Sequence, residues 1–156
     1  MVRQRAVARP DRTLAPQWDT PVSGEVTIGA TTAFEPFESI AAEAVRRGTN
    51  TLTGFVEDID LEPGTFDLVC GWHVLEHIPD PMPALSRLHR IVRPGGVAAF
   101  ELPNFACVLS RHRGQRWAYL EPRHHVNQFT PTSIRRLFVG AGFRVQLVTM
   151  VLTRAA

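Results

Sequence analysis

Apolar residues from Phe37 onward recur with helical spacing. Phe37, Ile40, Ala41, Ala44 and Val45 fall at i, i+3, i+4, i+7 and i+8 and line one face of a spiral. Pro36 suits the first turn of such a helix, Arg46 and Arg47 suit the negative end of its dipole, and Gly48 can close it. Before it, Val26–Ile28 and Thr31–Phe34 predict a weak strand ending at Glu35, and after it Leu52–Glu57 predicts a second. Phe66–Cys70 is a short apolar run bounded by Pro63-Gly64 and Gly71, which suits a strand buried on both faces. A helix follows from Pro81 to Val92, with Leu85, Leu88 and Val92 inward, and is stopped by Arg93-Pro94-Gly95-Gly96. Val97–Leu102 predicts a buried strand ended by Pro103-Asn104, whereas residues 105–128 keep no period and read as an inserted loop or short helices. Thr130 and Pro131 supply a hydroxyl cap and a first-turn proline for a helix with the stripe Ile134, Leu137, Phe138 and Ala141, ended by Gly142. Phe143–Leu152 reads as a final strand.

Strands that alternate with short helices imply βαβ units, hence an α/β fold with a mostly parallel, Rossmann-like sheet and helices on both faces. In such sheets ligands sit outside the carboxyl ends of the strands, which directs attention to Glu35, Asp58, Gly71, Trp72, His73 and Pro103-Asn104. A carboxylate at the end of an early strand can accept hydrogen bonds from both hydroxyls of a ribose, and Glu35 stands there. The plainer alternative for Glu35 is a solvated carboxylate at a helix start. Asp58 can accept from an exocyclic adenine amine, yet Glu57, Asp58, Asp60 and Glu62 crowd together as acids in a wet loop also do.

Composition limits the remaining readings. The chain has 156 residues, 44% hydrophobic and 21% charged, which fits one globular domain with a real core. A net charge of +2 gives no footing for a nucleic-acid or membrane partner. Cys70 and Cys107 each adjoin a predicted strand and read as two buried thiols rather than a disulfide. No apolar run approaches the roughly 18 residues of a membrane span, and no apolar segment follows the N-terminal arginines, so a cytoplasmic protein is expected. Residues 1–24 hold Arg3, Arg5, Arg9 and Arg12 and three prolines without apolar period and read as poorly structured; residues 25–156 form the domain.

The segments FDLVCGWHVLEHIPDP, RIVRPGG, VAAFELPN and PRHHVNQFTPTSIRRLFVGAGF, preceded by AFEPFESIAAEAVRRG, resemble successive blocks of class I S-adenosylmethionine-dependent methyltransferases. The branch most similar is the one labelled methyltransferase domain 23, and the likeness covers about residues 33–148. The resemblance implies a doubly wound sheet with S-adenosylmethionine across its switch point. Glu35 matches the ribose acid, Asp58 and the backbone of Ile59 the adenine contacts, and Gly71, Trp72 and His73 the loop beside the methionine moiety. Arg123, His124 and the segment to Phe129 match a block on the acceptor side. His124 can act there as a base or can merely hydrogen-bond the loop. Ubiquinone-pathway O-methyltransferases resemble the stretch around Glu76, with Glu, Glu and His implicated in metal binding where this chain has His73, Glu76 and His77. Only two of the three are retained, and no metal is expected.

The family's first strand leads into a glycine-rich turn of D/E-x-G-x-G-x-G type, whose backbone approaches the cofactor. The sequence before Glu35, LAPQWDTPVSGEVTIGATTA, holds only Gly24 and Gly29, without that spacing, and the fold is expected to be incomplete at the N-terminus, with little room for a last strand at the C-terminus. The expected function is methyl transfer from S-adenosylmethionine to an oxygen, nitrogen or carbon of a small-molecule acceptor, with self-association left open. Two alternatives stand beside it: a non-catalytic or truncated remnant that binds no cofactor, and a nicotinamide-type α/β protein, which the later blocks disfavour.

Overall fold

The computed structural model describes residues 32–146. β1 (Thr32–Glu35) leads through α1 (Glu38–Arg46) to β2 (Asn50–Thr53), which lies parallel to β1 with Thr32 opposite Asn50 and Glu35 opposite Thr53. The helix forms where the periodicity places it, with Glu38 in its first turn, Arg46 in its last and Ala41 buried. Phe37 holds the cap position without a side-chain cap. The carboxylate of Glu35 stands in, accepting from the Phe37 N–H at 3.1 Å. Gly48 takes a left-handed φ of 83° and donates to the carbonyl of Val45, closing the helix as glycine does.

The second half opens with β3 (Phe66–Trp72), crosses over through α2 (Pro81–Ile91) and returns as β4 (Val92–Glu101), again parallel. Asp80 caps α2 by accepting from Met82 N–H, and prolines occupy its first turn. Pairing begins at Phe66 with Val92 and resumes at Leu68 with Val97, so the Arg93–Gly96 stop signal is accommodated as an irregularity inside β4. Arg93 forms an ion pair with Asp67 across that irregularity. After β4 come α3 (Val108–Arg113), a single 3-10 turn at Gly114–Arg116, and α4 (Pro131–Gly140). Thr130 and Ser133 cap α4 reciprocally, each accepting from the other's backbone.

The core gathers on the second half. Val69, Leu75, Leu85 and Ile91 are wholly buried, and α2 turns Ala84, Leu85, Leu88 and Ile91 inward. Full burial of each large aliphatic chain is worth about 1.5–3 kcal/mol. Phe138 of α4 packs on Phe100 and Phe143 at ring separations of 5.3 and 5.4 Å, which fixes α4 against β4. The two halves meet where buried Phe34 of β1 sets its ring edge-on to Phe66 of β3, 6.0 Å apart.

The expected α/β fold is present: among the described residues every named strand pair is parallel and each is joined through a helix. The pairs stand as two two-stranded sheets. Four boundaries differ from expectation. β3 runs two residues past Cys70 to Trp72, and β4 begins at Val92 rather than Val97, with Val97 and Ala99 exposed where a buried strand is expected. The strand expected over Leu52–Glu57 runs over Asn50–Thr53, because its register follows β1 and Gly54, at φ 140°, turns the chain out of it. Residues 143–146 of the expected last strand form no strand, and 147–152 lie outside the described residues, as do Val26–Ile28 and the segment 1–24. Cys70 and Cys107 are free thiols but half-buried rather than fully buried.

Candidate functional site at the carboxyl ends of the strands

β3 runs directly into the site. Gly71 is buried within the β3–β4 pair, and a Cβ there would collide with the ring of Phe100. Packing therefore accounts for this glycine. The His73 N–H donates to the carbonyl of Glu101 at 3.0 Å, carrying the ladder one residue past Trp72. His73 itself adopts φ 52°, the only left-handed non-glycine among the described residues, a conformation that costs about 1–2 kcal/mol and needs its surroundings to enforce it.

Those surroundings are carboxylates and an aromatic ring. Nδ1 of His73 lies 3.0 Å from Oε1 of Glu76, and Nε2 lies 3.6 Å from Oε1 of Glu101. The imidazole stacks on Tyr119 with planes 7° apart and centroids 5.8 Å apart. The hydrogen bond that His73 donates to the Glu76 carboxylate is the main cause that raises its pKa above the ordinary value, against the opposing effect of burial. Glu76 is 1% exposed; its Oε2 is buried without a partner. His77, the next residue, shifts the other way, its pKa lowered chiefly by burial. The thiol of Cys70 is pushed up to about 11 by burial, which removes it as a nucleophile near neutral pH.

Residues 117–129 fold over this corner. The Asn127 N–H donates to Glu76 O, and its side-chain amide donates to Ile78 O at 2.6 Å and Pro79 O at 3.3 Å. Phe129 pairs with Asn104 in a parallel bridge and accepts from the Phe105 N–H. Trp117 is buried against Phe105 and Tyr119. His124 is exposed, with Nδ1 3.6 Å from Glu121 Oε2, and its carbonyl accepts from Nδ1 of His77 at 2.8 Å.

The remaining expected residues belong to the first half. Glu35 ends β1 with its carboxylate buried to 4% exposure and bonded to the Phe37 N–H. Asp58 is exposed in the turn after β2, where the N–H groups of Asp58 and Ile59 both donate to Phe55 O. Ile59 is half-buried, and its carbonyl accepts from Arg87 of α2 at 2.5 Å, which pins the turn to the second half. A buried carboxylate that accepts hydrogen bonds, a fixed backbone turn and an aromatic strand end are the neighbours a nucleoside joined to an amino acid requires, so the residues present fit the expected cofactor. Glu35, Asp58 and Ile59 follow the β1–β2 pair, while Gly71, Trp72 and His73 follow β3.

The carboxyl-end rule points to Pro103-Asn104 after an expected strand end at Leu102, whereas the strand ends at Glu101 and it is Glu101 that reaches His73. Tyr119 carries no local signal, and His125 only its place in the segment from Arg123 to Phe129 that resembles an acceptor-side block; the fold of residues 117–129 brings both to the corner. An open cleft of about 510 Å³, lined by Met82, Thr130, Ser133 and Arg136 among others, includes none of the expected residues.

A model of the Methyltransferase domain family matches residues 19–148. A malonyl-[acyl-carrier protein] O-methyltransferase from Serratia marcescens is 33% identical over 103 residues, covering 65% of this chain and 39% of that protein. A ubiquinone biosynthesis O-methyltransferase from Vibrio atlanticus is 31% identical over 86 residues, covering 53% of this chain and 36% of that protein. The chain thus spans less than two-fifths of the length of these curated relatives. Among solved structures, a SAM-dependent methyltransferase from Thermotoga maritima superposes with a TM-score of 0.64 at 24% identity, covering 73% of this chain and 55% of that one, which establishes the Rossmann-like fold. No helix of the described residues is long and apolar enough to cross a membrane.

Proposed function

The chain belongs to the Methyltransferase domain family, and from that premise we propose that it transfers the methyl group of S-adenosylmethionine to a small-molecule acceptor, with oxygen favoured over nitrogen or carbon as the accepting atom. The match of the family model over residues 19–148 carries the reading. The preference for oxygen follows the two O-methyltransferases it resembles.

In this reading Glu35 accepts from the ribose hydroxyls, Asp58 and the backbone of Ile59 meet the adenine, and Gly71, Trp72 and His73 border the methionine portion. The sulfonium methyl arrives already activated, so the protein's task is to align donor and acceptor. The acceptor's lone pair forms the new bond to carbon as the carbon–sulfur bond breaks, leaving S-adenosylhomocysteine, and the acceptor's proton passes to a base. His124 is assigned that base: its ring is exposed, and the carboxylate of Glu121 3.6 Å away can support the imidazolium that forms.

A second reading, a chain that keeps the fold without binding the donor, draws on the sequence before Glu35, which holds Gly24 and Gly29 without the spacing of a glycine-rich turn. Isothermal titration of the full chain with S-adenosylmethionine and S-adenosylhomocysteine separates the two. We expect saturable binding that weakens about 10-fold or more in Glu35→Ala, since two charge-assisted hydrogen bonds are lost. A folded chain that binds neither compound favours the second reading, and binding unaffected by Glu35→Ala removes the ribose assignment.

A further inference from the structure

We propose that Glu76, His77 and His125 form a site for one divalent cation of the zinc class, a function beyond the methyl transfer proposed above and adjoining its residues His73 and His124. A carboxylate oxygen of Glu76 and one ring nitrogen from each histidine all lie within 4.8 Å of one another. The rings of His77 and His125 meet edge to face with centroids 4.6 Å apart.

The hydrogen bonds around the cluster fix its chemistry. Nδ1 of His77 lies 2.8 Å from the carbonyl of His124, and Nδ1 of His125 lies 2.7 Å from the carbonyl of Tyr119. A carbonyl only accepts, so each Nδ1 carries the proton and each neutral ring presents the lone pair of Nε2. An imidazole whose far nitrogen donates to a backbone carbonyl is the arrangement metal-binding histidines adopt, because that bond sets tautomer and orientation. Burial favours the neutral form of His77, which is the form that ligates.

Glu76 completes the set. His73 occupies its Oε1, while Oε2 is buried and has no partner. A carboxylate oxygen removed from water and left unpaired is costly, and a cation beside it would remove that cost. Two imidazole nitrogens and one carboxylate oxygen suit zinc and neighbouring first-row ions, whereas magnesium and calcium prefer all-oxygen sets. Bonds of about 2.0–2.1 Å place tetrahedral ligand atoms roughly 3.3 Å apart, so a cluster spanning up to 4.8 Å must contract by up to about 1.5 Å. His77 is half-exposed, and three protein ligands leave one coordination position for water or a ligand oxygen. This set departs from the His73–Glu76–His77 trio suggested by the resemblance: His73 orients Glu76, and the third ligand comes from the folded-over segment 117–129.

The test uses the full chain, stripped with a chelator and titrated with zinc in competition with a chromophoric zinc indicator, with magnesium in parallel. The expected result is one zinc per chain, weakened about 10-fold or more by His125→Ala and by His77→Ala and further by both together. His112→Ala, on the exposed face of α3, should leave zinc binding unchanged, and magnesium should not compete. Cobalt loading should give a visible absorption that His125→Ala abolishes. Circular dichroism verifies the fold of each variant, and half-exposed His77→Ala is the safer of the two. Absence of zinc uptake by the folded parent chain, or equal uptake by the folded double variant, overturns the proposal.

Discussion

The half built on β1, α1 and β2 and the half built on β3, α2 and β4 share one βαβ pattern but are held together differently. In the first, α1 buries only Ala41, lacks a side-chain cap, and β2 keeps both end residues exposed. In the second, α2 buries five residues and is capped by Asp80, and β3 and α2 supply several wholly buried side chains. The polar side chains follow the same division. Glu35 bonds to a neighbour two residues away, whereas His73, Glu76 and Glu101 converge from two strand ends and the intervening turn. A strand end becomes a crowded site only where distant segments return to it, and here that return is residues 117–129.

The largest expected effect tests the seam between the halves. Phe34→Ala removes the buried ring that meets Phe66 and should cost about 3–5 kcal/mol. Chemical denaturation followed by both tryptophan fluorescence and far-ultraviolet dichroism should show one coincident transition at a lower midpoint. A variant of unchanged stability would mean the halves do not depend on this contact.

Capping distinguishes the halves more finely. Thr130→Ala breaks the reciprocal cap of α4 and should destabilise by about 1 kcal/mol. Phe37→Ser supplies α1 with the hydroxyl its extended cap position lacks and should gain about 0.5 kcal/mol. Shifts of opposite sign in the denaturation midpoint, the Thr130→Ala loss being the larger, would support the contrast; a loss from Phe37→Ser would show that the exposed aromatic ring contributes more than a cap.

The smallest effect is read from histidine titration in chelator-treated protein. His73, between Glu76 and Glu101, should titrate above about 6.5, and His77, facing the His124 carbonyl, Glu76 and His125, below it. The signs oppose each other in stability. The His73 contribution is complete below its unfolded value and lost as pH rises through its folded value. The His77 contribution is present above its unfolded value and lost as pH falls through its folded value. Resonances of the ring protons measure both, and a reversed order would contradict the placement of the carboxylates.

Periodicity placed α1, α2 and α4 within a residue or two, because their apolar stripes and stop signals are local. It set β2 two residues late, because a short strand takes its ends from its partner's register. The carboxyl-end rule reached Glu35 and the Gly71–His73 corner, since strand ends are marked by proline, glycine and acid. It did not reach Tyr119, His125 or the partnerless Oε2 of Glu76. Each depends on an aperiodic segment returning across the sheet, which leaves no local trace in composition.

Donor binding as proposed requires both halves to contribute to one crevice. Intermolecular NOEs from bound S-adenosylhomocysteine test this directly. Its ribose protons should show contacts at the Glu35–Phe37 turn and its methionine chain should show contacts to the indole of Trp72, within a single complex. Contacts confined to one half, with the other silent at saturation, would contradict it.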